Sequence, residues 1–208
     1  MRLLQKVLSL FIVLVMGTFA YSQTVYPAKQ KIQKKPKIVI SDKGVGPINE
    51  KTLFEYAEIQ RLFPGLVVKK VEDGGGFEDM GFPIINVLDK GQTLITINPV
   101  NGNNDDKRIY SVVVKSNLVE NSLGAKIGST YAQIYKSGIS SNCKPGMEQD
   151  SGTIIDQDPN SKHVRYVFEG EWNGEDGSIP PFEVLKTWKI TEIIWNPVLL
   201  DINEVRFK

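Results

Sequence analysis

Two carboxylates and a tryptophan late in the chain are the first residues that could do chemistry. Glu169 and Glu171 stand two apart. On a strand they would share a face at about 7 Å, given a rise of about 3.3 Å per residue. Glycosidases need two acids about 5–9 Å apart, one to protonate the leaving oxygen and one to attack or to activate water. Trp172 beside them could stack a sugar ring. The same residues also read as a solvated row in which Arg165 pairs with its acidic neighbours and contributes little.

Nucleophilic catalysis finds thinner material. His163 is the only imidazole, and a serine would have to come within about 3 Å of it to be activated. There is no Gly-x-Ser-x-Gly elbow to present such a serine. Cys143 is the only thiol, and nothing in its spacing from His163 specifies a pair. With one Cys and one His, a zinc site would have to lean on carboxylates. Asn101, Asn103 and Asp105 place oxygen donors at alternate positions, as calcium loops do. However, Gly102 is misplaced and Val112 stands where the bidentate glutamate belongs, so this reads as a hairpin loop. Gly74, Gly75 and Gly76 precede Glu78 and Asp79, whose charge would repel a phosphate, and Gly44 and Gly46 lack the third glycine of a dinucleotide fingerprint. No cofactor is expected.

Recognition is the remaining chemistry. Trp172 leads into Asn173-Gly174 and Asp176-Gly177, turn dipeptides that set an aromatic beside polar loops. Trp172, Asn173 and Asp176 therefore mark the expected binding surface, within the loop 170–181. Trp188 and Trp195 read as core, packing with Tyr166 and Phe168.

Several elements must position these residues. Ile38 and Ile40 alternate with polar neighbours in a strand at 37–41. Thr52 and Glu55 fit a capping box that opens a helix over 52–63. That helix carries an apolar stripe of Leu53, Tyr56, Ile59, Leu62 and Phe63, and Pro64-Gly65 stops it. Strands follow at 66–71, 84–88, 93–98 and 108–115, with a hairpin at Asp89-Lys90-Gly91-Gln92. A second glycine turn and capping box, Thr130 with Gln133, begins a helix bearing Tyr131, Ile134 and Tyr135, which raises an internal duplication. Strands at 152–156, 163–169 and 187–195 and a short helical turn at 178–186, entered through Pro180-Pro181, complete the pattern. The expected fold class is α+β: antiparallel sheet in a meander, covered by two or three short helices.

Residues 1–22 read as a secretory signal peptide. Arg2 and Lys6 precede an apolar run of 14 residues, and Ala20-Tyr21-Ser22 presents small residues to a signal peptidase before Gln23. Such a run makes about 21 Å of helix, short of a hydrocarbon core of about 30 Å, so no membrane span is expected after cleavage. Residues 23–36 form a flexible basic leader, and 37–208 a single α+β domain. Lys29, Lys31, Lys34 and Lys35 in or beside that leader could make weak contact with anionic lipid headgroups. A net charge of +1 argues against a nucleic-acid partner, which demands a basic surface. In an oxidising compartment an odd thiol risks intermolecular pairing, so Cys143 is expected to be shielded.

These residues resemble the sigma-E-regulated envelope lipoprotein family, a bacterial domain of unknown function. The resemblance covers roughly 40–197. It is carried by Gly44-Val45-Gly46-Pro47-Ile48, Phe63-Pro64-Gly65, Thr96-Ile97-Asn98-Pro99, Cys143-Lys144-Pro145-Gly146, Ser151-Gly152 and Ile193-Ile194-Trp195 with Pro197. Most specific is Trp172-Asn173-Gly174-Glu175-Asp176-Gly177 before Ile179-Pro180. The family implies an extracytoplasmic α+β domain in the cell envelope, brings no assigned reaction, and carries over no catalytic residue. The departure is Gln23, where lipoproteins place a lipidated cysteine. The functional expectation is an exported, periplasmic or secreted, non-enzymatic domain that binds a ligand or a protein partner in envelope maintenance or stress. The alternative is a cell-wall glycan hydrolase using Glu169 and Glu171.

Overall fold

Alternating apolar residues build most of the architecture. A computed structural model describes residues 35–72, 82–101, 106–147 and 150–197. The expected signal peptide, Lys29, Lys31 and Lys34, residues 74–76, Asn103 and Asp105, and the tail beyond Pro197 lie outside the described residues.

The chain opens with β1 (Val39–Ser41) and β2 (Gly44–Val45), followed by helix α1 (Tyr56–Leu62). Strands β3 (Val67–Val71), β4 (Ile84–Asp89), β5 (Gln92–Pro99) and β6 (Ile109–Val114) come next. The second half has β7 (Glu120–Asn121), α2 (Tyr131–Ile134), β8 (Lys144–Pro145), β9 (Thr153–Gln157), β10 (Val164–Glu169), α3 (Phe182–Leu185) and β11 (Lys189–Trp195). Eight strands form one sheet in the order β3-β4-β5-β6-β11-β10-β9-β8, and every neighbouring pair is antiparallel. A small sheet, β2-β1-β7, includes one parallel pair, β1 with β7. The α+β meander expectation is met.

Each half contributes four consecutive strands, preceded by a short helix, and the halves meet where β6 pairs β11 at Val112–Trp195, Val113–Ile194 and Val114–Ile193. The Asp89-to-Gln92 hairpin forms with Lys90 at φ 50° and Gly91 at φ 86°, the positive pair a two-residue turn requires. One apolar cluster unites the halves: Ile40, Ile59, Phe63, Ile95, Ile97, Val112, Tyr166, Phe168 and Trp195 are all essentially inaccessible.

The first helix differs from its expectation. It begins at Tyr56 rather than at residue 52, and Glu55 occupies the N-cap in extended geometry. Thr52 Oγ1 accepts the Asn49 N–H at 3.0 Å and closes a turn instead of capping a helix. Leu53 bridges to Arg108, and the Phe54 N–H donates to Lys107 O at 2.6 Å. Pairing with the approach to β6 therefore takes the backbone that the capping box would have wound. Ile59 and Phe63 are buried as the stripe requires, whereas Leu53 and Tyr56 are exposed. The second capping box does form: Gln133 Oε1 accepts the Thr130 N–H at 2.8 Å at the head of α2.

Candidate functional site

The site is built on α2 and on the turn that joins β9 to β10. Tyr131 and Tyr135 lie four apart on α2 and its C-cap, so one face of a single turn presents both hydroxyls. The Tyr131 hydroxyl donates to Asp156 Oδ2 at 2.8 Å and accepts the Ser140 N–H at 3.1 Å. The Tyr135 hydroxyl donates to Gln157 O at 2.6 Å. On β10, the Tyr166 hydroxyl donates to Asp158 Oδ2 and accepts from Asn121 Nδ2 on β7 at 3.2 Å. Rings of Tyr131 and Tyr135 stack at 4.5 Å, and Phe168 meets Tyr131 edge-on at 5.0 Å. Three tyrosines thus anchor polar backbone and carboxylates from inside the core.

Asp156 is completely buried and Asp158 nearly so. Burial holds the Asp156 carboxyl above the usual carboxylate range, while hydrogen bonds from Ser140, Tyr131 and the Gln157 amide pull it back. Desolvation also raises Tyr131, Tyr135 and Tyr166 well above a free phenol, so they stay protonated and act as donors. Cys143 is buried beside this network, as its shielding required. Burial first, then the neighbouring Asp156, pushes its thiol up to about 12, against a hydrogen bond with Tyr131.

The 157–163 turn is bound on every side. Asn160 N–H donates to Asp158 Oδ1 at 2.7 Å, and Gln157 Nε2 donates to Ser161 O at 2.7 Å. Ser161 Oγ accepts the amides of His163 and Val164 and donates to Asp42 Oδ1 at 2.5 Å. That hydroxyl is the main reason the Asp42 carboxyl sits below its ordinary range; desolvation opposes it and nearby His163 assists. Trp195 Nε1 donates to Asp42 O at 3.1 Å, so the buried end of β11 fixes the β1–β2 turn as well.

Asp42, Ser161 and His163 place a carboxylate, a hydroxyl and an imidazole close together without forming a nucleophilic triad. The hydroxyl donates to the carboxylate, and His163 Nδ1 bonds Asn196 O at 2.8 Å. A triad needs the imidazole between the other two groups. His163 is half-buried rather than a free surface residue.

Over this rigid floor lies a cleft of about 780 Å³ between loop 137–142 and the 157–162 turn, with Asp42 at one end. Ser137, Ser141, Asn142, Asn160 and Lys162 expose their side chains on its walls, and those side chains bond no other described residue. The arrangement offers hydroxyl, amide and ammonium groups to a polar ligand on a base that does not need to reorganise. Among the described residues no three His, Cys, Asp or Glu converge as a metal site.

The residues singled out from the sequence lie elsewhere. Trp172 is half-buried against the core, its ring so close to Gly174 that a Cβ there would fall 2.1 Å from it. Asn173 and Asp176 are exposed on the same loop. The space beside Trp172 and Asp176 is about 20 Å³, room for about one water and no small ligand. Strand β10 ends at Glu169, so Glu171 is not held on its face and the strand spacing assumed for an acid pair does not apply. Trp188 and Trp195 are core, as expected. Lys35, one of the leader lysines, bonds Asp89 at 2.5 Å. Asp42, Asp158 and Ser161 escaped the sequence reading. For Asp158 and Ser161 the available signal was Asp158-Pro159-Asn160-Ser161, a cluster of turn formers between two strands.

Fold and cleft together define an α+β domain with an antiparallel eight-stranded sheet and a preorganised polar cleft at a hairpin tip. The chain belongs to the family described as protein of unknown function (DUF1131), whose model matches residues 31–197. It is 31% identical over 158 residues to the uncharacterized protein YfeY of Escherichia coli (strain K12), covering 75% of this chain and 78% of that one. A crystal structure of the uncharacterized protein yfeY from Escherichia coli shares the fold, with a TM-score of 0.57 and 24% identity over 77% of this chain and 99% of that one. No described helix is long and apolar enough to cross a membrane.

Proposed function

We propose that the protein is an exported, non-enzymatic binding domain of the bacterial envelope, serving envelope maintenance or stress, with its site in the cleft beside the 157–163 turn. The observation that carries this reading is the contrast between floor and walls. Tyr131, Tyr135 and Tyr166 spend their hydroxyls holding the scaffold, while Ser141, Asn142, Asn160 and Lys162 stay unpaired over it. Fixed supports beneath free hydrogen-bonding groups favour binding over chemistry: Asp42, the perturbed carboxyl at the end of the cleft, is engaged by the Ser161 hydroxyl and the Lys162 amide. The charged start, short apolar run and small residues of 1–22 support export.

Amide NMR of the folded protein titrated with mixtures of sugars, polyols, amino acids and dipeptides tests this. We expect at least one class to shift the amides of Ser140, Asn142, Asn160 and Lys162 without being converted. Shifts centred on residues 172–178, no shift at millimolar concentration, or turnover of a bound compound would each overturn it.

A further inference from the structure

The cleft beside the 157–163 turn carries one available charge of each sign. Asp42 is exposed at its end, and the bonds from the Ser161 hydroxyl and the Lys162 N–H both fall on Oδ1. Its Oδ2 has no partner among the described residues and is left for an incoming donor. Lys162 is exposed and its ammonium forms no ion pair among the described residues, although its own N–H lies 3.2 Å from that carboxylate. The third charged residue of the lining, Asp158, is 3% exposed and spends Oδ1 on the Asn160 N–H and Oδ2 on the Tyr166 hydroxyl. The available charges therefore sum to zero without neutralising each other. A polyanion would meet Asp42 and a polycation Lys162, whereas a ligand bearing both signs finds a partner for each.

The rest of the lining restricts what joins those two charges. Ile139 is 41% exposed on loop 137–142 and gives the cleft an aliphatic contact. Ser141, Asn142 and Asn160 hold unpaired hydroxyl and amide groups, which can both donate to a carbonyl and accept from an N–H. A volume of about 780 Å³ falls in the range of about 300–1,000 Å³ usual for a small molecule. An ammonium, a carboxylate, an amide between them and an apolar side chain together make a short peptide with free ends. Resting on the binding reading above, we infer that the cleft takes such a peptide. Its α-ammonium meets Asp42, its carboxylate meets Lys162, its peptide group meets Asn142 and Asn160, and an aliphatic side chain lies against Ile139.

The test is calorimetric titration of the folded protein with alanyl-leucine, its N-acetyl form, its C-terminal amide and glycyl-glycine. We expect each cap to weaken binding by about tenfold or more, the scale of one charge-assisted hydrogen bond. Asp42→Asn keeps the acceptor for Ser161 but removes the charge, so it should erase the penalty of acetylation alone. Lys162→Gln should erase the penalty of amidation alone, and Ile139→Ser the preference for alanyl-leucine over glycyl-glycine. Circular dichroism separates lost binding from lost folding, and Lys162→Gln carries the test should Asp42→Asn misfold. Equal affinity for free and capped peptides, or binding of sugars or polyols with no response to the peptides, would overturn the peptide assignment and keep the binding reading. No binding by any of these compounds would overturn both.

Discussion

Asp156 is the residue whose environment most constrains behaviour. It is sealed from solvent with Tyr131 and the Gln157 amide as bonded donors. Because burial raises its pKa in the folded state, the native protein binds that proton more tightly than the unfolded chain does. Its contribution is most favourable below the ordinary carboxylate value of about 4 and falls as pH rises through the raised one. Asp156→Asn removes that slope. We expect the stability of the variant relative to the parent, from urea unfolding, to improve as pH rises from about 4 and to level off once the raised carboxyl has ionised. A variant that loses ground with rising pH would show that the hydrogen bonds, not desolvation, dominate. Nothing in the spacing around Asp156 announced this, since a lone aspartate in an alternating strand reads as solvent-facing until the partner across it is known.

At the scale of elements, two identical-looking sequence signals came to different ends. Thr130 with Gln133 opens α2, and Thr52 with Glu55 does not open α1. The difference is competition: residues 53 and 54 pair with Arg108 and Lys107, over fifty positions away, and that pairing satisfies backbone groups a helix would otherwise use. Thr130→Ala should cost about 1 kcal/mol of stability, the usual loss at a helix cap, read from thermal or urea unfolding. It should also loosen the cleft, because α2 carries both Tyr131 and Tyr135. An unchanged midpoint would mean that α2 is held by its tyrosines alone. The longer strands, by contrast, were legible to within about two residues, since period-two alternation survives wherever one face is buried, whereas the two-residue strands β2, β7 and β8 are too short to show a period.

At the scale of the molecule, the β6–β11 pairing makes two four-stranded meanders into one sheet. Ile193 stands at that seam, opposite Val114, and is 1% exposed. Ile193→Ala should cost about 2–5 kcal/mol, and unfolding should remain a single transition because one apolar cluster spans both halves. Two separated transitions would show the halves to be independent. The sequence by itself determined the longer antiparallel strands, the hairpin, the second helix and the burial of Trp188 and Trp195, because each follows from local periodicity or a neighbouring turn. Only the tertiary structure decided the seam, the shortened first helix and the cleft. Asp42, Tyr131 and Ser161 are scattered along the chain and come together only when the sheet is assembled, and no local pattern encodes which distant residues will meet.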